Sequence, residues 1–208
     1  FRQADDVADT DQDSRTHIEA APDGWWYTAR IPSNRRVVVY HSDSDLLPAT
    51  TLLSSSGFIE LLDGTEHVRS YFASQGYTML GMPGATPAQS ARLESLAGEG
   101  WLATGDAAIS FDPLSSQGIM TALFGGMLAG MAVEGHLSGD PQGLDGYSAR
   151  LTAVYNAYLK NRLFYYSYEG RWPDRPFWRR RVGALPSNAV ARSPAHNNEA
   201  EIDVNSGE

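Results

Sequence analysis

The chain contains no cysteine, which excludes disulfides, thiolate metal sites and cysteine nucleophiles. It also lacks an excess of positive charge. Sixteen Lys and Arg face 25 Asp and Glu, a formal net charge of −9, which argues against a nucleic-acid backbone or an anionic membrane surface as partner. There is no Gly-x-Ser-x-Gly elbow and no Gly-Lys-Ser/Thr phosphate loop, so serine-hydrolase and nucleoside-triphosphatase chemistry find no support. His17, His41, His67, His136 and His196 are scattered without metal-ligand spacing, and no metal site is expected. The opening "FRQADDVADTDQDS" is acidic where a secretory signal would be basic and then apolar, so a cytoplasmic location is expected. Long hydrophobic runs are missing too. The uncharged stretch Gln117 to Val133 falls short of the ~20 residues that span a bilayer. It is expected to form a buried helix of a soluble protein.

What is present is globular in character: 208 residues, 42% apolar and 11% aromatic, enough for a real core. Residues 1–18 read as an acidic flexible arm, in which Asp5, Asp6, Asp9, Asp11 and Asp13 repel one another. Residues 19–100 read as a sheet with short helices. Trp25, Tyr27, Ala29 and Ile31 alternate with Trp26, Thr28 and Arg30, "PSNRR" supplies a turn, and Val37–His41 is a β-branched return strand. Leu46 to Leu62 predicts a helix broken near Ser54–Gly57, and Thr65 to Ala73 a short one with Thr65 as a possible cap. "ARLESL" and "WLAT" predict two strands joined by the turn "AGEG". Residues 101–183 hold a loop and two long helices, about Gly118–Leu137 and from Leu144, ended by Pro173 and Pro176. Residues 184–208 read as a polar tail. The fold class is α+β.

Chemistry concentrates in "GDAAISFDPLSSQGI". Asp106 follows an apolar strand and Gly105, at the kind of strand end where ligand crevices form. Its carboxylate either accepts sugar-like hydroxyls or caps the next turn. "PLSSQG" precedes a helix, so the backbone N–H groups of Ser116, Gln117, Gly118 and Ile119 are expected to point outward together. The helix dipole adds roughly half a positive charge there, which suits an anion or a polarised carbonyl. Alternatively, Ser115 or Ser116 caps the helix internally. Trp25, Trp26 and Tyr27 either line a pocket for an aromatic ring or form sheet core. Phe111 faces either a ligand or the core, and Asp112 either a substrate or its own turn. The aromatic run from Phe164 to Trp172 has helical spacing and reads as packing. Arg179, Arg180 and Arg181 read as a solvated face or a docking patch.

That string resembles the second FAD-binding motif of the flavoprotein monooxygenases with a para-hydroxybenzoate-hydroxylase-like fold, a superfamily that includes the flavin-dependent (tryptophan) halogenases. The resemblance implies that Asp106, with Gly105, holds the ribityl chain of FAD. It implies that Pro113 lies beside the flavin ring, and that Ser115, Ser116, Gln117, Gly118 and Ile119 meet its pyrimidine edge. It further implies hydroxylation of an aromatic ring through a flavin C4a-hydroperoxide, with NADH, NADPH or a separate reductase as electron donor. "EAAPDGWWYTARIP", "SDSDLL", "PAQSARL", "GEGWLATGDAA" and "YYSYEGRWPDRPFWRRR" are similar to one branch of the superfamily. That branch matures quinone-cofactor amine and amino-acid oxidases by hydroxylating a tryptophan in a partner protein. The aromatic substrate is therefore expected to be a small molecule or a tryptophan-bearing protein.

Two departures matter. Aligned on Ile31-Pro32, Tyr27 and Ala29 stand at the two Trp positions of the halogenase stretch Trp-x-Trp-x-Ile-Pro, so hydroxylation is the stronger expectation and halogenation the weaker. No strand–Gly-x-Gly-x-x-Gly–helix unit for the pyrophosphate is present. The chain therefore reads as a C-terminal portion lacking the Rossmann unit, inactive by itself. The remaining alternatives are an isoprenoid reductase of the same superfamily and a non-catalytic module that lost the cofactor.

Overall fold

The computed structural model describes residues 1–3, 11–140 and 142–183. The polar tail, Pro141 and residues 4–10 of the acidic arm lie outside them. The elements in chain order are β1 (Arg2–Gln3), β2 (His17–Ala21), β3 (Gly24–Ile31), β4 (Arg35–His41), α1 (Ala49–Leu52), α2 (Ser55–Asp63), α3 (His67–Ser74), β5 (Tyr77–Thr78), β6 (Ala91–Arg92), β7 (Ala97–Gly98), β8 (Trp101–Leu102), β9 (Ile109–Ser110), α4 (Gly118–Leu137), α5 (Gly143–Ser167) and α6 (Pro176–Val182).

The expected hairpin is the spine of a five-stranded antiparallel sheet, ordered β2-β3-β4-β1-β5. Trp25 pairs with His41 and Ile31 with Arg35. Ser33 and Asn34 turn the chain with φ of 67° and 52°, the doubly positive geometry that matches strand twist in a tight hairpin. The strand period then separates two neighbouring tryptophans. Trp26 packs with Phe58, Leu62, Val68, Phe72 and Tyr77, the cluster under α2 and α3. Trp25 packs with Tyr166, Phe177 and Trp178 of α5 and α6. Helices thus cover both faces of the sheet, and each such side chain contributes roughly 2–3 kcal/mol by leaving water.

The break expected near Ser54 is a true cap. Ser54 Oγ accepts from Gly57 N at 3.1 Å and opens α2. At α3 the main cap comes from elsewhere. The Glu19 carboxylate on β2 accepts from the amides of Glu66, His67 and Val68 at 2.6, 3.0 and 2.7 Å, while the Thr65 hydroxyl takes only Arg69 N.

Several expectations change. Within the acidic arm, Asp11 is buried against Arg36 and Asp13 pairs with Arg15 and His17, because partners on the sheet overcome the mutual repulsion of carboxylates. "ARLESL" meets "WLAT" only at its last residue, where Ala103 N donates to Leu96 O at 2.9 Å. Instead β6 pairs with β9, and a smaller hairpin joins β7 to β8. In the aromatic run, Tyr166 is buried and Trp172 half-buried, but Phe164, Tyr165 and Tyr168 are exposed.

The third core lies between α4 and α5: Leu128, Ala129 and Ala132 meet Tyr147 and Leu151, with Leu96, Ala108 and Ile109 beneath. This is one side of α4 only. Ile119, Met120, Leu123, Phe124, Met127 and Met131 on the same helix are exposed, so the expected buried helix is buried along a single stripe. By length and composition alone α4 could cross a membrane. One stripe of it packs on α5.

Candidate functional site

The site begins at a glycine that the backbone requires. Gly105 has φ 60°, a left-handed conformation that costs other residues about 1 kcal/mol or more. It starts a 3-10 turn, Gly105–Ala107, and a Cβ there would stand 3.7 Å from Ala122 on α4. Asp106 is thereby set beside the opening turns of α4. Its side chain is exposed, and no donor reaches the carboxylate among the described residues.

After β9 the chain turns again. Asp112 Oδ1 accepts from Leu114 N at 3.0 Å and caps a second 3-10 turn, Pro113–Ser115. Ser116 follows with φ 52°, and α4 begins at Gly118. Two of the four amides expected to be free are used locally. Ser116 N donates to Pro113 O at 3.1 Å, and Gln117 N to Ser115 Oγ at 3.3 Å. The Gly118 and Ile119 amides meet no acceptor among the described residues. Beyond its chain neighbours and its own helix backbone, no atom of the described residues stands within 4 Å of where a Gly118 Cβ would lie. The helix end is open to an outside acceptor.

Behind the loop lies a polar anchor. Asp112 is 7% exposed. Its Oδ2 accepts from Tyr166 Oη at 2.8 Å and from Arg162 Nε at 3.3 Å. Its backbone N donates to Tyr158 Oη at 2.9 Å, and the Tyr158 hydroxyl also meets Ser90. Trp25 Nε1 donates to Tyr166 Oη at 3.0 Å, while the indole stacks on His41 with centroids 3.9 Å apart. Burial, and then the negative charge of Asp112, raises the Tyr166 phenol above its ordinary range. Burial pulls the His41 imidazole down to about 4.

No family model matches the chain. LodB of Marinomonas mediterranea, named as an FAD-dependent oxidoreductase, is 29% identical over 164 residues, covering 79% of this chain and 43% of LodB. The peptidyl tryptophan dihydroxylase QhpG superposes with a TM-score of 0.68 at 21% identity, over 86% of this chain and 42% of QhpG. CndH, a myxobacterial chondrochloren halogenase, gives 0.68 at 17% identity, over 85% and 41%. The chain has the para-hydroxybenzoate-hydroxylase-like flavoprotein fold. It spans less than half the length of each of these relatives.

In this flavoprotein fold Gly105, Asp106, Pro113, Ser115, Ser116, Gln117, Gly118 and Ile119 gather around one end of α4. The other three candidates do not join them at the surface. Trp25 is 3% exposed and is sheet core. Tyr27 packs half-buried beside it. Phe111 lies edge-on to Tyr158 at 4.8 Å, against the α4–α5 core. Asp112 is the turn-former, as its backbone contact shows.

Sequence reasoning missed Tyr158, Arg162 and Tyr166. Their spacing of four along α5 puts three polar tips on one helix face, a signal hidden because tyrosines in an apolar stripe read as packing. It also left open the role of the arginine run. Arg180 and Arg181 are bound by Asp43 and Asp45, so they clamp α6 to the end of β4 and present no free patch. A cleft of about 360 Å³ is lined by residues such as Arg92, Glu94, Asp145 and Thr152. It includes none of the loop residues.

Proposed function

We propose that this chain forms the isoalloxazine side of the FAD site in a monooxygenase that hydroxylates an aromatic ring. The carrying observation is the pair of open amides at Gly118 and Ile119 on the helix against which the Gly105–Ala107 turn lies, a turn whose Asp106 carboxylate has no donor among the described residues. An FAD fits this donor set: hydroxyls for the carboxylate, and an electron-accepting ring edge for the amides. When bound and reduced, the flavin supplies the oxygen-activating chemistry.

The chain's own residues do the rest. Asp106 accepts hydrogen bonds from ribityl hydroxyls. Gly118 and Ile119 donate to the pyrimidine edge, where the helix dipole stabilises the negative charge of the reduced ring. Pro113 offers a rigid surface without a donor, and the Ser115–Gln117 turn shapes the approach. The exposed face of α4 packs against the dinucleotide-binding part, which accounts for a helix that is apolar on both sides.

Hydroxylation is favoured over halogenation because Tyr27 and Ala29 replace the two tryptophans of the halogenase stretch. The similarity to QhpG, named for acting on peptidyl tryptophan, supports a tryptophan-bearing partner protein as substrate. NADH, NADPH or a reductase would deliver the electrons.

The 208-residue chain by itself is expected to purify colourless, and a yellow preparation with stoichiometric FAD overturns the division of the site. In the flavin-loaded protein, Asp106→Ala lowers FAD affinity at least tenfold. Incubation with reductant, oxygen and an aromatic substrate yields a product heavier by one oxygen atom. A chloride-dependent product refutes the hydroxylase reading.

A further inference from the structure

We propose that Asp112 is a positioning residue. Through Tyr166 and Trp25 it ties the loop that opens α4 to the central sheet, and so fixes where the Gly118 and Ile119 amides stand. The proposal rests on the flavin reading above and deepens it by naming what aims the helix end.

Three observations carry it. First, the contacts run in series across the fold. Trp25 Nε1 on β3 donates to Tyr166 Oη on α5, which donates to Asp112 Oδ2, while Asp112 Oδ1 holds Leu114 N. Residues 141 and 54 positions apart in sequence are joined by two hydrogen bonds. Second, Asp112 is gripped at both its ends. Its carboxylate meets Tyr166 and Arg162, and its amide meets Tyr158, two helical turns earlier on α5. A residue fixed at two points along a rigid helix can neither slide nor rotate. Third, the loop between this anchor and α4 is short and already committed. Ser115 N returns to Asp112 O, Ser116 N to Pro113 O, and Ser116 holds a left-handed φ of 52°. With so few residues between, the direction of the first α4 amides follows from the placement of Asp112.

A carboxylate at this position does what an amide cannot. It accepts from Leu114, Tyr166 and Arg162 at once without presenting a donor to any of them. Asn in its place sets an N–H₂ against Leu114 N or against the Tyr166 and Arg162 donors, whichever way the amide is turned. Charge-assisted bonds are also roughly twice as strong as neutral ones. Tyr166→Phe keeps the ring in its aromatic cluster and removes only the link.

Two measurements test this, one needing no flavin. In the 208-residue chain, hydrogen exchange is followed at Leu114, Ser115 and Ser116 in wild type, Asp112→Asn and Tyr166→Phe. The expected result is exchange at least tenfold faster at these three amides in both variants. Amides of the β3–β4 pair should stay within about threefold, and the Trp25 indole N–H resonance should shift in Tyr166→Phe. Unchanged loop exchange, or an equal rise everywhere, overturns the proposal, since the latter marks a residue that only stabilises the fold. In the flavin-loaded protein, both variants weaken binding of reduced FAD relative to oxidised FAD at least tenfold, a fall of about 30 mV in the two-electron potential. An unmoved potential also overturns the positioning role. A protein that takes up no FAD in any version refutes the flavin reading instead, and loop exchange still decides the anchor.

Discussion

Replacing Asp11 by alanine tests whether the acidic N-terminal segment is part of the fold. Arg36 is fully buried and Asp11 is 3% exposed, with 3.1 Å between them. Asp11 also accepts from the hydroxyls of Tyr71 and Tyr77 at 2.6 and 2.7 Å and from Asp13 N at 2.8 Å. Burial would raise its pKa, but the hydrogen bonds from Tyr71, Tyr77 and the Asp13 amide, with the charge of Arg36, together outweigh this and hold it below the usual carboxylate range. Removing one member of a buried pair costs about 3–5 kcal/mol, because the other charge stays in a poor solvent. Here the low end applies to the charge itself, since Arg36 keeps the carbonyls of Asp13 and Arg15 and the Tyr71 hydroxyl. Two stranded tyrosine donors add about 1 kcal/mol each. The sum, about 5 kcal/mol, rivals the whole stability of a typical domain at about 5–15 kcal/mol. The tyrosines donate to different oxygens of Asp11, so Asp11→Asn keeps an acceptor for one of them and should recover about 1 kcal/mol of the loss. Urea unfolding followed by the fluorescence of the buried Trp25 and Trp26 reads both. A cost below about 1 kcal/mol for Asp11→Ala, or no advantage of Asn over Ala, refutes the reasoning.

His41 predicts a pH dependence. Its folded pKa of about 4 lies below the unfolded value of 6.5, so the unfolded chain binds more protons between the two. Stability from this group is full above pH 6.5 and is lost as pH falls toward 4. The loss is at most about 3 kcal/mol, and about 1–2 after allowing for partial contact with water. Unfolding titrations of His41→Gln should show a flatter profile across that window, and an identical profile counts against a neutral buried imidazole. Glu19→Ala strips three amides at the start of α3 of their acceptor and should cost about 1–2 kcal/mol, measured by thermal unfolding. A change within experimental error would mean that water replaces the cap.

The elements legible in the sequence were those whose signal is local. Alternation at Trp25–Ile31, the small residues at Ser33-Asn34 and the Gly-Asp turn each act within a few residues, and each folds as the pattern predicts. The errors came where a distant partner decides. Asp11 looked repelled by its neighbours because Arg36, Tyr71 and Tyr77 lie far along the chain. The start of "ARLESL" looked like one half of a hairpin because the true partner of Ala91–Arg92, Ile109–Ser110, follows a further turn. Glu19 gave no sign that it caps a helix 47 residues away. The site divided in the same way. The Gly105, Asp106 and Gly118 arrangement is written in consecutive residues, whereas the Tyr158–Arg162–Tyr166 anchor requires knowing which face of α5 meets the loop.

The case of α4 goes one step further, because neither sequence nor fold accounts for its composition alone. A helix apolar on both sides satisfies one side against Tyr147 and Leu151. On the other side Ile119 stands 78% exposed, and Leu123 and Met127 are exposed further along. A soluble surface seldom carries such a row without a partner. The two unpaired amides open this same helix, and the unpaired carboxylate lies beside its first turns. Bare apolar area, free donors and a free acceptor are three different deficits, and packing among the described residues supplies none of them. Under the flavin reading one assembly removes all three, since FAD takes the polar groups and the body that holds its pyrophosphate covers the apolar row. Replacing Leu123 and Met127 by aspartate should therefore leave the isolated chain folded while preventing flavin loading of the whole protein, because the price of those residues is felt only when something must pack on them.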